Sequence, residues 1–215
     1  MDLTDVAAVL FDMDGTLVDS DAAVERAWTT WAWEYGVDVD PATLHGRPAD
    51  AAVRSLCPWL DDAAVAAAAA RQLDLQYDDL ADVVPTPGAL DLLAGLTLPW
   101  AIVTSADVRL AHARLGAAGI AAPVLVTVED ISRGKPDPEG YLLAAQLLGV
   151  PPARCLVVED AAAGVAAGRA AGATVAALKG VEGDVSITDL NELATLIGAA
   201  AGTCTPSTPR PAPPR

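Results

Sequence analysis

An α/β fold, a doubly wound parallel sheet of Rossmann-like form carrying an inserted small all-helical cap, is predicted by three features of this 215-residue sequence. Short apolar runs alternate with helix-length segments from Val84 onward, the pattern of a parallel sheet covered by helices. An earlier apolar run over residues 6–11 stops abruptly at Asp12-Met13-Asp14-Gly15. Between these two parts lie only helical segments, so they read as an insertion. The expected divisions are a core of residues 1–17 and 84–200, a cap of residues 18–83, and a Pro-rich tail of residues 201–215.

The run 6–11 has the composition of a strand buried on both faces. Residues 19–34 then place Val24, Ala27, Trp28, Trp31 and Ala32 at helical spacing, with Asp19 or Ser20 available as the cap. Trp28, Trp31 and Trp33 read as core or cap packing rather than as an aromatic substrate platform. Pro41-Ala42-Thr43-Leu44-His45-Gly46-Arg47-Pro48 breaks the pattern, and helices over 49–56 and 61–77 complete the block. Pro85-Thr86-Pro87-Gly88 marks the return to the core. From there helices over 88–96, 107–118, 139–148 and 162–171 alternate with strands over 100–103, 124–127, 155–158 and 174–178. A last helix over 187–200 precedes residues 203–215, whose Pro, Thr and Ser predict a disordered or polyproline-like tail.

Composition narrows the function. The formal charge of −16 argues against a nucleic-acid binder, which needs a basic surface, but leaves room for a small phosphorylated substrate beside a divalent ion and a few cationic side chains. The 53% hydrophobic fraction predicts a globular protein, and no stretch is long and apolar enough for a membrane span. Met1-Asp2-Leu3-Thr4-Asp5 lacks the basic start and apolar run of a secretory signal, so the expected location is cytoplasmic. Cys57, Cys155 and Cys204 are odd in number and far apart, which reads as two packing residues and one tail residue. A monomer or weak dimer is expected.

In open α/β sheets ligands bind beyond the carboxyl ends of the strands, so polar residues at those ends carry the search for chemistry. Asp12 and Asp14 follow the first strand on one side of the chain, with Met13 on the other. Two carboxylates in one small volume repel each other unless a cation lies between them or one holds a proton, and both devices serve phosphoryl transfer. Thr104 and Ser105 can hold phosphoryl oxygens at a helix start, although Thr-Ser-Ala-Asp also reads as a plain helix cap. Lys135, between Gly134 and Pro136, offers a compact positive charge to Asp12 and the transferring group. Glu159 and Asp160 add hard oxygen ligands that, with Asp12, suit Mg²⁺.

These residues form four motifs, DMDGT, VTS, GKPDP and VVEDAAAGVAAGRAAG, in the order of the haloacid dehalogenase-like hydrolase superfamily, which the chain resembles from about residue 6 to residue 180. The likeness is to the branch holding β-phosphoglucomutase and sugar, glycerol-3- and 2-deoxyglucose-6-phosphatases, with a small helical cap after the first motif. The resemblance implies that Asp12 is a nucleophile forming an aspartyl-phosphate, and that Asp14 is the general acid and then base, its backbone carbonyl binding Mg²⁺. It also implies that Thr104 and Lys135 bind the phosphoryl group and that Asp160 with Glu159 holds the metal. A Gly-Arg turn of these relatives faces the active site, which makes His45 and Arg47 the expected specificity residues.

The resulting expectation is a Mg²⁺-dependent phosphatase acting on a small sugar or polyol phosphate. A phosphosugar mutase and a non-catalytic binding domain are the alternatives. A dehalogenase is disfavoured because Asp14 supplies an acid that a halide does not need. The mutase alternative turns on Val24, which stands where β-phosphoglucomutase has a cap-hinge histidine and can neither donate nor accept a hydrogen bond.

Overall fold

The computed structural model describes residues 3–44, 47–77 and 79–202, with side chains to residue 198. His45, Cys204 and residues 203–215 lie outside the described residues. The chain opens with β1 (Ala8–Phe11) and the two-residue β2 (Val18–Asp19). It continues through α1 (Asp21–Tyr35), a 3₁₀ turn (Pro41–Leu44), α2 (Ala49–Leu56) and α3 (Asp62–Tyr77) to β3 (Val84–Pro85). The remainder alternates: α4 (Ala89–Gly95), β4 (Trp100–Val103), α5 (Val108–Ala117), β5 (Leu125–Val126), α6 (Glu139–Leu148), β6 (Cys155–Glu159), α7 (Ala162–Ala170), β7 (Thr174–Ala177), β8 (Val185–Ser186) and α8 (Leu190–Gly202).

Six strands form one parallel sheet in the order β5-β4-β1-β6-β7-β8. The chain builds outward from β1 on one side and then crosses to build outward on the other, so the order reverses at β1, the position where doubly wound sheets bind ligands. Alternation along β1 explains its uniform apolarity. Val9 and Phe11 join the core beneath α4, α5 and α8, while Ala8 and Leu10 join the core beneath α6 and α7.

The helices between β2 and β3 have a separate core of Trp28, Trp31, Leu44, Val53, Cys57, Val65 and Ala68. Trp31 is fully buried and donates its indole N–H to the Ala68 carbonyl at 2.9 Å. Trp33 departs from the expectation of packing: it is 83% exposed, because two residues on from Trp31 the helix has turned its side chain outward. Both passages into and out of this helical block run through one small antiparallel ribbon, β2 against β3, secured by Thr86, which donates its amide to Leu17 and its hydroxyl to Thr16. Two-residue strands have too short a period to read from sequence. The last helix also differs, beginning at Leu190 rather than 187 and reaching Gly202, two residues into the range expected as tail.

The block meets the core at the start of α5. Asp107 is the N-cap, its Oδ1 accepting the Leu110 amide at 2.8 Å, while its Oδ2 accepts the Tyr77 hydroxyl from α3. Asp107→Ala removes both bonds, and a lost N-cap alone costs about 1–2 kcal/mol. The variant should melt roughly 2–8 °C lower by calorimetry. An unchanged melting temperature would show that the pair adds no net stability.

Candidate active site

Asp12 leaves the end of β1 with its amide still donating to Val158 of β6 at 2.9 Å, and Thr104 leaves β4 with its amide on Val126 at 3.0 Å. Glu159 is the last residue of β6. Three neighbouring strands thus deliver Asp12, Thr104 and Glu159 to one edge. Lys135, from the loop before α6, joins them there. Its Nζ donates to Asp12 Oδ1 at 2.5 Å, to Glu159 Oε1 at 2.7 Å and to the Val103 carbonyl at 3.0 Å. All three ammonium protons are therefore engaged.

Glu159 is only 1% exposed, and four donors surround it. Oε1 accepts from Lys135 and from the Tyr141 hydroxyl at 2.7 Å, and Oε2 accepts the amides of Asp160 and Ala161 at 3.1 Å, just before α7 begins. This closeness rests on Gly164, where a Cβ would stand 1.6 Å from Glu159 Oε1. Burial, with the facing Glu159 and Asp160, pushes the Asp12 carboxyl well above the usual range against the pull of Lys135. Burial works to lower Lys135, but the Asp12 charge and its neighbours outweigh it and hold the ammonium protonated.

Asp160 is also raised by burial, with Lys179 opposing. Lys179 bridges Asp160 Oδ2 at 3.1 Å and Asp21 Oδ2 at 2.7 Å. The oxygens of Asp12, Glu159 and Asp160 include one from each residue that lie within 4.8 Å of one another. Three hard oxygen donors at that spacing fit a divalent ion such as Mg²⁺. Direct ligation by Glu159 would require it to release one of its four present bonds.

The second carboxylate is held differently. Amides of Thr16, Leu17 and Val18 all turn back to the Met13 carbonyl, making a tight loop in which Gly15 has φ 79° and lies against Asp160. Asp14 Oδ1 accepts from Ser20 Oγ and from Arg114 Nη1, both at 2.7 Å. Ser20 does occupy the N-cap position of α1, as expected, but its hydroxyl goes to Asp14 and makes no capping bond. Asp19 accepts the Asp21 amide at a long 3.4 Å.

A cavity of about 460 Å³ opens over these groups. Asp12, Asp14, Thr104, Ser105, Lys135, Glu159 and Asp160 line it together, and Arg47 stands on its helical side with Val24 and Trp28. Thr104 is buried and its Oγ1 accepts the Ala106 amide at 3.0 Å, which leaves its hydroxyl proton to donate. Arg114 and Lys179 were not among the residues expected here. Lys179 stands two residues beyond β7, where the strand-end rule points, and Arg114 takes a place on the buried stripe of α5 with Leu110, Ala111 and Leu115.

The sequence pattern of the family described as haloacid dehalogenase-like hydrolase matches residues 6–172. Hexitol phosphatase A of Escherichia coli is 46% identical over 175 residues, spanning 79% of this chain and 81% of that protein. 2-Deoxyglucose-6-phosphate phosphatase 1 of Saccharomyces cerevisiae is 38% identical over 189 residues, 76% of each chain. Among solved structures, a hydrolase from Pseudomonas syringae superposes with a TM-score of 0.73 at 29% identity, covering 80% of this chain and 84% of that one.

Lys135→Met would leave Asp12 and Glu159 facing each other without their shared cation. Breaking a buried pair in this way costs roughly 3–5 kcal/mol, so urea unfolding at neutral pH without divalent ions should show a loss of that size. A loss near zero would mean that proton uptake by Asp12 compensates fully.

Proposed function

This chain belongs to the haloacid dehalogenase-like hydrolase family, and within it we propose a phosphatase that hydrolyses a small sugar or polyol phosphate through an aspartyl-phosphate at Asp12. The observation that carries the reading is the separate restraint of the two carboxylates: Lys135 holds Asp12, while Ser20 and Arg114 hold Asp14. Each is anchored through one oxygen, so two neighbouring acids take different tasks. The names of the Escherichia coli and yeast relatives support the substrate class.

In the first step an Asp12 oxygen forms a bond to phosphorus as the bond to the ester oxygen breaks, and Asp14 gives its proton to the departing alcohol. In the second, water attacks phosphorus, Asp14 takes the water's proton, and the Asp12 carboxylate is released with inorganic phosphate. Thr104 donates its hydroxyl to a phosphoryl oxygen, and Ser105 lies beside it in the bend that precedes α5. Lys135, its protons engaged, contributes positive charge beside both Asp12 and the phosphoryl group. Magnesium is the ion proposed: Asp12, Asp160 and the Asp14 main-chain carbonyl would hold it, with Glu159 joining through a water or on release of one of its four bonds, and when bound it would supply positive charge beside the phosphoryl group. Arg47, on the helical side of the cavity, is the proposed specificity residue, together with His45, two positions earlier in the sequence.

Asp12→Asn should reduce phosphate release from a panel of sugar and polyol phosphates by at least about 10⁴-fold, since an amide is a poor nucleophile and a poor ligand. Chelation should abolish turnover and added Mg²⁺ should restore it. Normal turnover by the variant, or full activity in excess chelator, would overturn the mechanism.

Phosphatase and mutase differ in what accepts the phosphoryl group. Val24 lines the cavity and offers no hydrogen bond by which a sugar hydroxyl could be favoured over water. Phosphate release is expected, without net conversion of β-glucose 1-phosphate to glucose 6-phosphate even with a bisphosphate primer. Stoichiometric isomerisation with little phosphate would favour the mutase.

A further inference from the structure

We propose that Gln72 recognises a hydroxyl of the substrate's carbon chain, as the last donor of a directed hydrogen-bond chain that starts at Arg114. The inference rests on the phosphatase reading above and adds a specificity residue to it. Arg114 on α5 is 3% exposed, and Gln76 and Gln72 on α3 are 8% and 0% exposed. Arg114 Nη2 donates to Gln76 Oε1 at 2.6 Å, and Gln76 Nε2 donates to Gln72 Oε1 at 2.6 Å. The four-residue spacing places both amides on one face of α3.

The direction of this chain is fixed by chemistry. A guanidinium has donors and no acceptor, so Gln76 must present its oxygen to Arg114 and its NH₂ onward. Gln72 in turn must spend its oxygen on Gln76. What remains is Gln72 Nε2, a buried donor with no partner among the described residues, and Arg114 Nε is likewise without one. Buried donors are nearly always satisfied, so unpaired ones beside a cavity point to a ligand that completes them.

Both residues line the cavity that holds Asp12 and Lys135. Arg114 also holds Asp14, so the chain of contacts leads away from the leaving-group acid towards the helical block. Two unpaired donors call for oxygens on the part of the substrate beyond the ester bond, and with the Arg114 charge already matched by Asp14 these are best met by neutral hydroxyl oxygens. A polyol or sugar chain supplies them, whereas an alkyl or aryl phosphate leaves Gln72 unpaired. Sites built to bond a hydroxyl discriminate against analogues that lack it far more strongly than apolar pockets do.

The test compares kcat/KM of the wild-type protein and Gln72→Met on a hexitol phosphate, its monodeoxy series and p-nitrophenyl phosphate. Methionine keeps the length of the side chain and removes the donor. In the wild type, deletion of the one hydroxyl that Gln72 bonds should cost about 10- to 100-fold, the effect of leaving a single buried neutral donor unpaired. Gln72→Met should lose a similar factor on the full hexitol phosphate relative to p-nitrophenyl phosphate in the same preparation. On the analogue lacking that hydroxyl, the two proteins should differ little. Equal losses on every substrate, or an undiminished preference in the variant, would overturn the proposal by assigning the chain a purely structural role. Should Gln72→Met fail to fold, the wild-type series decides: no single hydroxyl whose removal costs 10-fold overturns the role of Gln72. A wild type that hydrolyses p-nitrophenyl phosphate but prefers no hydroxylated ester would instead bring down the substrate reading itself.

Discussion

Lys135 is the cation on which the geometry of the site depends. It lies at the junction of three chain segments, bonding the first residue after β1, the last residue of β4 and the last residue of β6. Without it, Asp12 and Glu159 would converge at a buried strand edge with nothing between them, and folding would have to neutralise one or separate the two. The doubly wound order brings these strand ends together, and the ammonium makes their convergence tolerable. A single interaction therefore serves both the sheet and the chemistry.

The same logic extends outward. Asp14 is matched by Arg114, and Asp160 shares Lys179 with Asp21. In a chain of formal charge −16, these three cations are concentrated where the carboxylates are most buried, so local balance coexists with a strongly acidic whole. Two of them also reach the helical block or its first turn, Arg114 through Gln76 and Lys179 through Asp21. The charge pattern of the site and the seating of the helices above it are consequently linked.

Much of this was legible in the sequence because it is locally encoded. Short apolar runs between helix-length segments located β1, β4, β5, β6 and β7, and the rule that ligands lie beyond strand ends drew Asp12, Asp14, Thr104, Glu159 and Asp160 to one edge before any contact was known. Lys179 obeys the same rule and was open to the same reading. Arg114 was not, since a charged residue on an apolar helical stripe signals a buried partner without naming it, and Asp14 lies 100 positions away. Ser20 shows a competition that position alone does not resolve: a residue placed to cap α1 bonds a nearby carboxylate instead. Gln72 and Gln76 continue the buried stripe of α3, but periodicity does not show what they bond, because the direction of their hydrogen bonds is fixed by a guanidinium on another helix.

Gly164 carries a consequence for how this sequence can change. Alanine fills most of the surrounding helix, Ala162-Ala163-Gly164-Val165-Ala166-Ala167, and inside a helix alanine is favoured over glycine by about 1 kcal/mol. Drift towards alanine at residue 164 would thus improve the helix taken by itself. Yet a single methyl group there would occupy the space of the Glu159 carboxylate, so the gain in α7 would be accompanied by displacement of the anion that steadies Lys135. The hydrogen atom that stands in for a side chain at this position is what allows a helix and a buried charge to share one place, and it closes to selection one of the commonest routes to a more stable helix.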